Sequence, residues 1–570
     1  MTTVRRLFSV SLIGSGKSAI EVGRDRLLFA ATVMAVAFAV LALRLVEVGL
    51  SEPSGERRLT TIDRAQRASL PVVRADIVDR NGVLLATSLP TRSLHANPRR
   101  VRDPARVAKR LGAILPDLDP KLLLAKLAGK GSFVWIRRHL SPRQVYAINA
   151  LGEPGLAFIK EERRVYPLGR MAAHLVGYTG IDGDGLAGAE RGLESRLRAD
   201  PTAPVRLSLD IRFQEVLHAE LATAMRRFRA LAGAGLVLDV DSGEILAMVS
   251  LPDFDPARAA DAREDARRNR VTLGTYEMGS TFKAFTVAMA LENRTVGLRD
   301  GFDASKPLKI ARFTIRDYHA ENRWLSVPEI FMYSSNIGAA KMALAVGGAR
   351  QKAFLGRLGL LDRTALEIPE VGAPQLPATW KELTTATVGF GHGLAVTPLQ
   401  LASGVAALIT GELHSATVLA RDPATPPKAT RVVAPATAHI MRQLMRLVVE
   451  HGTGRQAEVP GYLVGGKTGT AEKVGAHGYR RNALLSSFVA AFPINRPRFV
   501  VFAMLDEPKG DKETHNYATG GWTVAPAVGR VIARIGPIAG IAPIELLPAA
   551  EDAAAVTVSL DGNEIRLAAF

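Results

Sequence analysis

Cysteine is absent from the 570-residue chain, which removes disulfide frameworks, thiolate metal sites and thiol catalysis from consideration. That absence fits an oxidising compartment without requiring one. Aromatic residues are only 6% of the sequence, and its 73 lysines and arginines are scattered rather than gathered into a stripe. A nucleic-acid reader needs a basic stripe interleaved with aromatics, or a recognisable reading motif. The net charge of +18 therefore fits an anionic membrane surface, an acidic polymer or an arginine-rich proteome better than nucleic acid. No internal repeat and no low-complexity tract occurs. Gly14-Ser15-Gly16-Lys17-Ser18 glances at a phosphate-binding loop, but Ser11 stands where that pattern needs its first glycine, and no hydrophobic strand leads in.

What is present begins with an apolar run. Leu27 to Leu43 extends for 17 residues without a charge between Arg26 and Arg44, reaching roughly 25 Å as a helix, the lower end of a membrane span. Small-x-small triads such as Ala35-Val36-Ala37 lie inside the run rather than after it, and the 26 residues before it are long for the n-region of a signal peptide. An uncleaved single-pass anchor is expected over 27–48, after a cytoplasmic tail at 1–26. Arg5, Arg6, Lys17, Arg24 and Arg26 favour that orientation, although Arg57, Arg58, Arg64 and Arg67 follow soon after the span.

Two folded units are expected beyond the anchor, from length alone. In the first, 49–230, apolar runs flank Asp79-Arg80-Asn81-Gly82, a hairpin signal. Residues from about 104 to 150 carry helical periodicity broken at Pro116 and Pro120, and 166–192 reads as irregular. The second unit, 231–545, opens with apolar runs around Asp241-Ser242-Gly243-Glu244, and later strands are expected at 486–492 and 499–505. The overall class is α+β. Residues 546–570 form an Ala-rich, mildly acidic tail to which the sequence assigns no role.

Three short motifs in the second unit carry chemistry. Ser280-Thr281-Phe282-Lys283 precedes the helix-like run Ala284 to Leu291. Serine and lysine three apart on a helix share one face, so the amine reaches the hydroxyl, and the helix N-terminus favours an alkoxide-like nucleophile. Ser334-Ser335-Asn336 follows the helix-compatible Ile330 to Tyr333. On its own such a tripeptide is more often a helix cap or turn. Lys467-Thr468-Gly469-Thr470, entered through Val464-Gly465-Gly466, reads as a strand offering a cation and two hydroxyls to an extended peptide. Gly469 is expected to leave room for a close backbone. Each motif alone has a bland structural reading; the ordered set is the serine acyl-enzyme signature.

Further segments extend the pattern: Tyr276 to Lys283, with Met278 where many members have proline; Gly391-His392-Gly393 running to Thr397-Pro398-Leu399-Gln400; Lys467 to Ala471; and Tyr517-Ala518-Thr519-Gly520-Gly521. With them the chain, from about 60 to 530, resembles the class B penicillin-binding proteins of the septal type. The resemblance implies a membrane-anchored, non-catalytic pedestal below a transpeptidase domain built as an antiparallel sheet flanked by helices. It implies no cofactor and no metal. By resemblance Ser280 is the acylated nucleophile and Lys283 its base. Ser334 relays protons, and Asn336 holds substrate amide and Lys283. Lys467, Thr468, Gly469 and Thr470 bind the peptide, and the N–H groups of Ser280 and Thr470 form the oxyanion hole. Lys283 can act as a base only with a pKa well below about 10.4, and burial together with the Lys467 cation is expected to lower it. The implied partners are stem peptides ending in D-Ala-D-Ala, an amine acceptor, β-lactams, a membrane glycan polymerase of the FtsW type and other division proteins, with the catalytic unit in the periplasm.

Rival readings are weaker. A class A β-lactamase needs a glutamate with asparagine four residues on, and none of Glu367, Glu370, Glu382, Glu412, Glu450 or Glu458 has one. No Glu-Asp-x-x-Phe signature of a glycan polymerase lies between 44 and 230. An antibiotic sensor would carry further spans, and a silent scaffold would have lost a catalytic group. Asn336, where elongation-type members usually have aspartate, favours the septal class.

Overall fold

The computed structural model describes residues 29–43, 74–425, 427–475, 478–544, 557–560 and 563–567. Residues 29–43 are helical, and every one of them is exposed, Phe29 and Leu43 by 73% and 71%. No described helix is long and apolar enough to cross a membrane. The remainder of the expected anchor and the basic residues used for its orientation lie outside the described residues.

The N-terminal unit is built on one sheet. β1 (Ile77–Val78) and β2 (Leu84–Ala96) form the expected hairpin, with Ile77 opposite Ala86. Asp79 closes its turn by accepting the N–H groups of Asn81 and Val83, both at 2.8 Å. Beyond the turn, β2 pairs with β3 (Val134–Leu140) and β4 (Leu156–Val165), while β1 pairs in parallel with β5 (Val205–Arg206). α1 (Pro104–Ile114), α2 (Pro120–Leu127) and α3 (Pro142–Asn149) bring Leu111, Leu123, Leu127 and Ile148 against Leu94 of the sheet. Each of these helices starts with proline after an Asp or Ser cap, so Pro120 opens a helix rather than merely ending one. The helical reading of 104–150 fails at β3. Ile136 and Leu140 are buried and four apart, which suits either period, and non-local pairing with Arg92 to Ala96 decides for strand.

The same unit encloses an ion network. Arg74 donates to Glu190 and Glu194, and Arg164 donates to Glu190 from the other side. The side chains of Arg74, Arg164 and Glu190 are 2%, 3% and 0% exposed, so the carboxylate is the counter-charge that makes burial of two guanidiniums tolerable.

α4 (Ile211–Arg227) falls before the expected boundary at 231 but packs on the second unit's sheet through Phe213 and Leu217, and it leads to the predicted hairpin of β6 (Ala232–Asp239) and β7 (Ile245–Leu251). Later in the chain come β8 (Tyr276–Glu277), β9 (Ala395–Val396), β10 (Gly465–Gly475), β11 (Gly478–Phe492) and β12 (Phe499–Asp506). The central sheet is antiparallel in the order β10-β11-β12-β6-β7. Alternation along its strands feeds two cores. Val237, Phe488 and Val501 face α4 and α10 (Ala525–Ile538), while Leu236, Val489 and Phe502 face the helices that carry the site. Both faces are covered, which is why β6 and β12 read as continuous apolar runs. β10, carrying the Lys-Thr-Gly motif, lies at an edge.

A last hairpin, β13 (Thr557–Leu560) and β14 (Asn563–Arg566), belongs to the tail that the sequence left without a role. Val558, Leu560 and Leu567 pack on Met332 and Leu447 of the second unit.

Candidate active site

Gly279–Phe282 forms one tight 3-10 turn that runs into α5 (Lys283–Glu292). Ser280 thus stands at a helix entry and remains partly accessible, whereas Lys283 is fully buried beneath it. Lys283 Nζ donates to Ser280 Oγ at 3.0 Å, as the three-residue spacing requires. It also reaches the Ser334 carbonyl, Ser334 Oγ at 3.1 Å and Asn336 Oδ1 at 2.7 Å. Lys467 Nζ, equally buried, donates to Ser334 Oγ at 2.9 Å and sits 5.7 Å from the centre of the Phe331 ring. Residues 280, 283, 334, 336 and 467 therefore meet in one place.

Burial sets the charge of this group. It pushes the Lys283 ammonium down to about 7, with Asp317 pulling the other way. Lys467 lies well below its usual value, through burial first and the charge of Lys283 second. The expected help from Lys467 in lowering Lys283 is thus seen from the opposite side of the pair. Two ammonium groups sharing Ser334 Oγ resist joint protonation.

The Ser334 turn is held from below. α6 (Val327–Met332) is closed by a capping box of Ser326 and Glu329, and α7 (Asn336–Val346) is capped by Ser335. Between them Ser334 takes φ 63°, a left-handed conformation that is uncommon for a residue with a side chain. Asp317 secures it: its carboxylate accepts Ser335 Oγ at 2.7 Å, Ile337 N at 2.9 Å and the Asn336 N–H. Sequence reasoning missed Asp317, which lies 17 positions before Ser334 in a loop with no periodic signal.

Behind Ser280, β10 presses on the turn so closely that a side chain at Gly469 has no room. A Cβ there would sit 2.3 Å from Ser487 Oγ, 2.8 Å from Thr281 Cγ2 and 2.9 Å from the Met278 carbonyl. Contact with the protein's own interior is thus by itself a reason for glycine, beside the room for substrate expected from the sequence. Thr468 Oγ1 pairs with Thr453 Oγ1 at 2.7 Å, and Thr470 Oγ1 accepts the Gly520 N–H at 3.2 Å. The other flank is the Gly391 to Gly393 loop, where a Cβ on Gly391 would be 2.1 Å from the Gly279 carbonyl. Thr397-Pro398-Leu399-Gln400 is a capping box opening α8 (Pro398–Thr410).

The comparisons with known proteins bear on this arrangement. Residues 233–530 match the penicillin binding protein transpeptidase domain, and residues 69–200 match the penicillin-binding protein dimerisation domain. A probable peptidoglycan D,D-transpeptidase FtsI of Caulobacter vibrioides is 42% identical over 82% of this chain and 82% of its own. The chain belongs to the FtsI-type class B penicillin-binding proteins. A probable peptidoglycan D,D-transpeptidase PenA of Neisseria gonorrhoeae is 34% identical to this penicillin-binding protein over 92% of its length and 94% of the relative's. The crystal structure of penicillin-binding protein 3 from Mycobacterium tuberculosis, complexed with aztreonam, shares the fold with a TM-score of 0.66 at 23% identity. It covers 83% of this chain and 98% of that one.

Two further groups lie around Ser280 of this penicillin-binding protein, and the sequence assigned neither a role. Glu277 accepts the Gly393 N–H at 2.8 Å and the Tyr479 hydroxyl at 3.2 Å, and burial raises its pKa. His392 stacks edge-on to Tyr479 at 5.3 Å and is pushed down to about 4 by burial and by Lys283, which keeps it neutral.

Proposed function

We propose that this FtsI-type protein is a septal peptidoglycan D,D-transpeptidase whose acylated nucleophile is Ser280. One observation carries the assignment: an unbroken hydrogen-bonded chain from Ser280 Oγ through Lys283 Nζ and Ser334 Oγ to Lys467 Nζ, with links of 3.0, 3.1 and 2.9 Å. A hydroxyl attacks a carbonyl only as it loses its proton, and a neutral amine at hydrogen-bond distance is the group to take it. With its pKa at about 7, Lys283 is substantially unprotonated at neutral pH.

In the proposed reaction, Ser280 Oγ bonds to the penultimate D-alanine carbonyl while Lys283 takes the proton. The N–H groups of Ser280 and Thr470 receive the oxyanion, and loss of one such donor typically costs about a hundredfold or more. The C–N bond then breaks, and the leaving D-alanine amine collects a proton through Ser334, with Lys467 at the far end of the relay. An amine of a second stem peptide attacks the ester, gives up a proton to the same relay, and frees Ser280. Asn336 orients substrate amide and Lys283, and Lys467, Thr468, Gly469 and Thr470 form the wall along which the peptide lies. A β-lactam ring, opened by the same attack, retains its leaving group and leaves Ser280 blocked.

The exposed apolar helix at 29–43 supports reading 27–48 as a single-pass inner-membrane anchor, with 49–230 as a periplasmic pedestal, 231–545 as the catalytic unit and 546–570 as a tail. The lack of a polymerase signature supports dependence on an FtsW-type glycan polymerase and other division proteins. Asn336 supports the septal role. The test is covalent labelling by fluorescent penicillin: wild type labels, Ser280→Ala does not while its melting temperature is unchanged, and a fluorescent fusion gathers at midcell. An unlabelled wild type overturns the assignment, and a side-wall distribution overturns the septal part.

A further inference from the structure

A cavity of 870 Å³ opens where β11 turns into β12, bordered by the end of α8, the start of α9 (Pro435–Glu450) and the segment after α10. None of the motif residues lines it. Its wall carries three arginines, Arg442, Arg496 and Arg498, and among the described residues none of them forms an ion pair. Arg442 is the telling one. It is half-buried, and among the described residues its Nε is buried without an acceptor and its one side-chain hydrogen-bond contact is a long 3.4 Å approach to His439 Nδ1. Arg446, one turn later on the same helix, shows what a satisfied guanidinium looks like there: it pairs with Glu450 and Glu458 and donates to the Val464 carbonyl.

A guanidinium withdrawn from water without a counter-charge is costly and is normally paired. For Arg442 burial lowers the pKa with no carboxylate acting against it. The carboxylate on the wall is Asp241, which burial and Asp239 push upward and His414, Arg498 and Arg496 draw back down, so those two arginines have a partial counter-charge there and Arg442 is the cation left without one. The ligand that completes this wall is therefore an anion, and Arg favours carboxylate or phosphate through paired N–H groups. A bare anion leaves the rest unexplained. Asn495 Oδ1 is buried at the same wall without a donor, and it calls for an N–H. Ile409, Ile541 and Pro435 supply apolar surface beside it. A peptide offers carboxylate, N–H and apolar side chain together, and the volume lies within the usual range for ligand sites.

We propose that this cavity docks an acidic peptide segment of a partner protein, with Arg442 taking a carboxylate and Arg496 and Arg498 supplying the surrounding field. The test uses the full chain in detergent micelles at low ionic strength. Fluorescence anisotropy follows a labelled N-acetyl-Asp-Glu-Asp-Leu amide, its Asn-Gln-Asn-Leu counterpart, and displacement by inorganic phosphate. The acidic peptide binds at least tenfold more tightly than the neutral one. Arg442→Gln and the surface pair Arg496→Glu/Arg498→Glu each weaken it at least tenfold, while penicillin labelling and melting temperature stay at wild-type values. Equal binding by wild type and the surface double variant overturns the proposal, as does the absence of binding to wild type. Displacement by phosphate at concentrations as low as those of unlabelled peptide overturns the peptide and leaves an adventitious ion only.

Discussion

Asp317→Asn isolates the groups that hold the Ser334 turn from the groups that do chemistry. The substitution keeps the size of the side chain but removes the charge that now accepts Ser335 Oγ and the N–H groups of Asn336 and Ile337. A charge at a helix N-terminus contributes about 0.3–1 kcal/mol, and charge-assisted hydrogen bonds exceed neutral ones by about 1 kcal/mol. Loosening the turn by about 1–2 kcal/mol, if expressed in the transition state, slows acylation by about 5–30-fold. The pH dependence separates this from a merely structural loss. Asp317 raises the pKa of Lys283, while burial holds it at about 7. Removing the carboxylate leaves burial unopposed, so the neutral, active amine persists to lower pH. The rate, which rises as Lys283 deprotonates, then rises at a lower pH than in wild type, and the deficit of the variant is smaller at pH 6 than at pH 8. Stopped-flow acylation by a chromogenic cephalosporin between pH 5 and 9 measures both. An acid limb that stays in place or moves upward refutes the electrostatic account, and an unchanged rate at pH 8 refutes the positioning account.

Three further outcomes follow from the geometry. Gly469→Val drives a side chain into Ser487, Thr281 and the Met278 carbonyl, so penicillin labelling falls at least tenfold while circular dichroism of the bulk fold is preserved. Glu190→Ala strands Arg164 and leaves Arg74 with Glu194 alone in the N-terminal unit, a loss of about 3–5 kcal/mol read as a lower first melting transition, with Ser280 still labelled in the cold. Leu560→Asp places a charge where Leu560 is 3% exposed against Met332. Hydrogen exchange at 557–566 then accelerates, and acylation slows severalfold because the helix before the Ser334 turn loses its support.

What the sequence discloses here is local. The Asn81-Gly82 and Ser242-Gly243 turns sit between apolar runs, so both hairpins were legible, as was the amine one helical turn from Ser280. Pro120, read as a break, instead opens a helix, as do Pro104 and Pro142, because the first turn has no use for the donor that proline lacks. The Val134–Leu140 stretch was misread as helical because two buried residues four apart satisfy a helix and a strand alike, and only the partner strand settles it. Asp317 and Glu277 were illegible as site residues because their roles come from contacts across the chain, not from spacing. Gly469 was legible as necessary, but its contacts with Ser487, Thr281 and Met278 were not, since a sequence does not say which backbone will lie against it. The clasp of Val558 and Leu560 on Met332 had no signal at all in an alanine-rich tail.

The placement of β10 as the outermost strand of its sheet has a consequence for drug resistance. A rim strand has amide and carbonyl groups to spare, and a ligand laid along it is gripped by main chain, which no codon change can rewrite without unmaking the sheet. Mutations that exclude an antibiotic yet admit the natural peptide should therefore accumulate in the surrounding loops, around Asp317 and His392, and spare the strand itself.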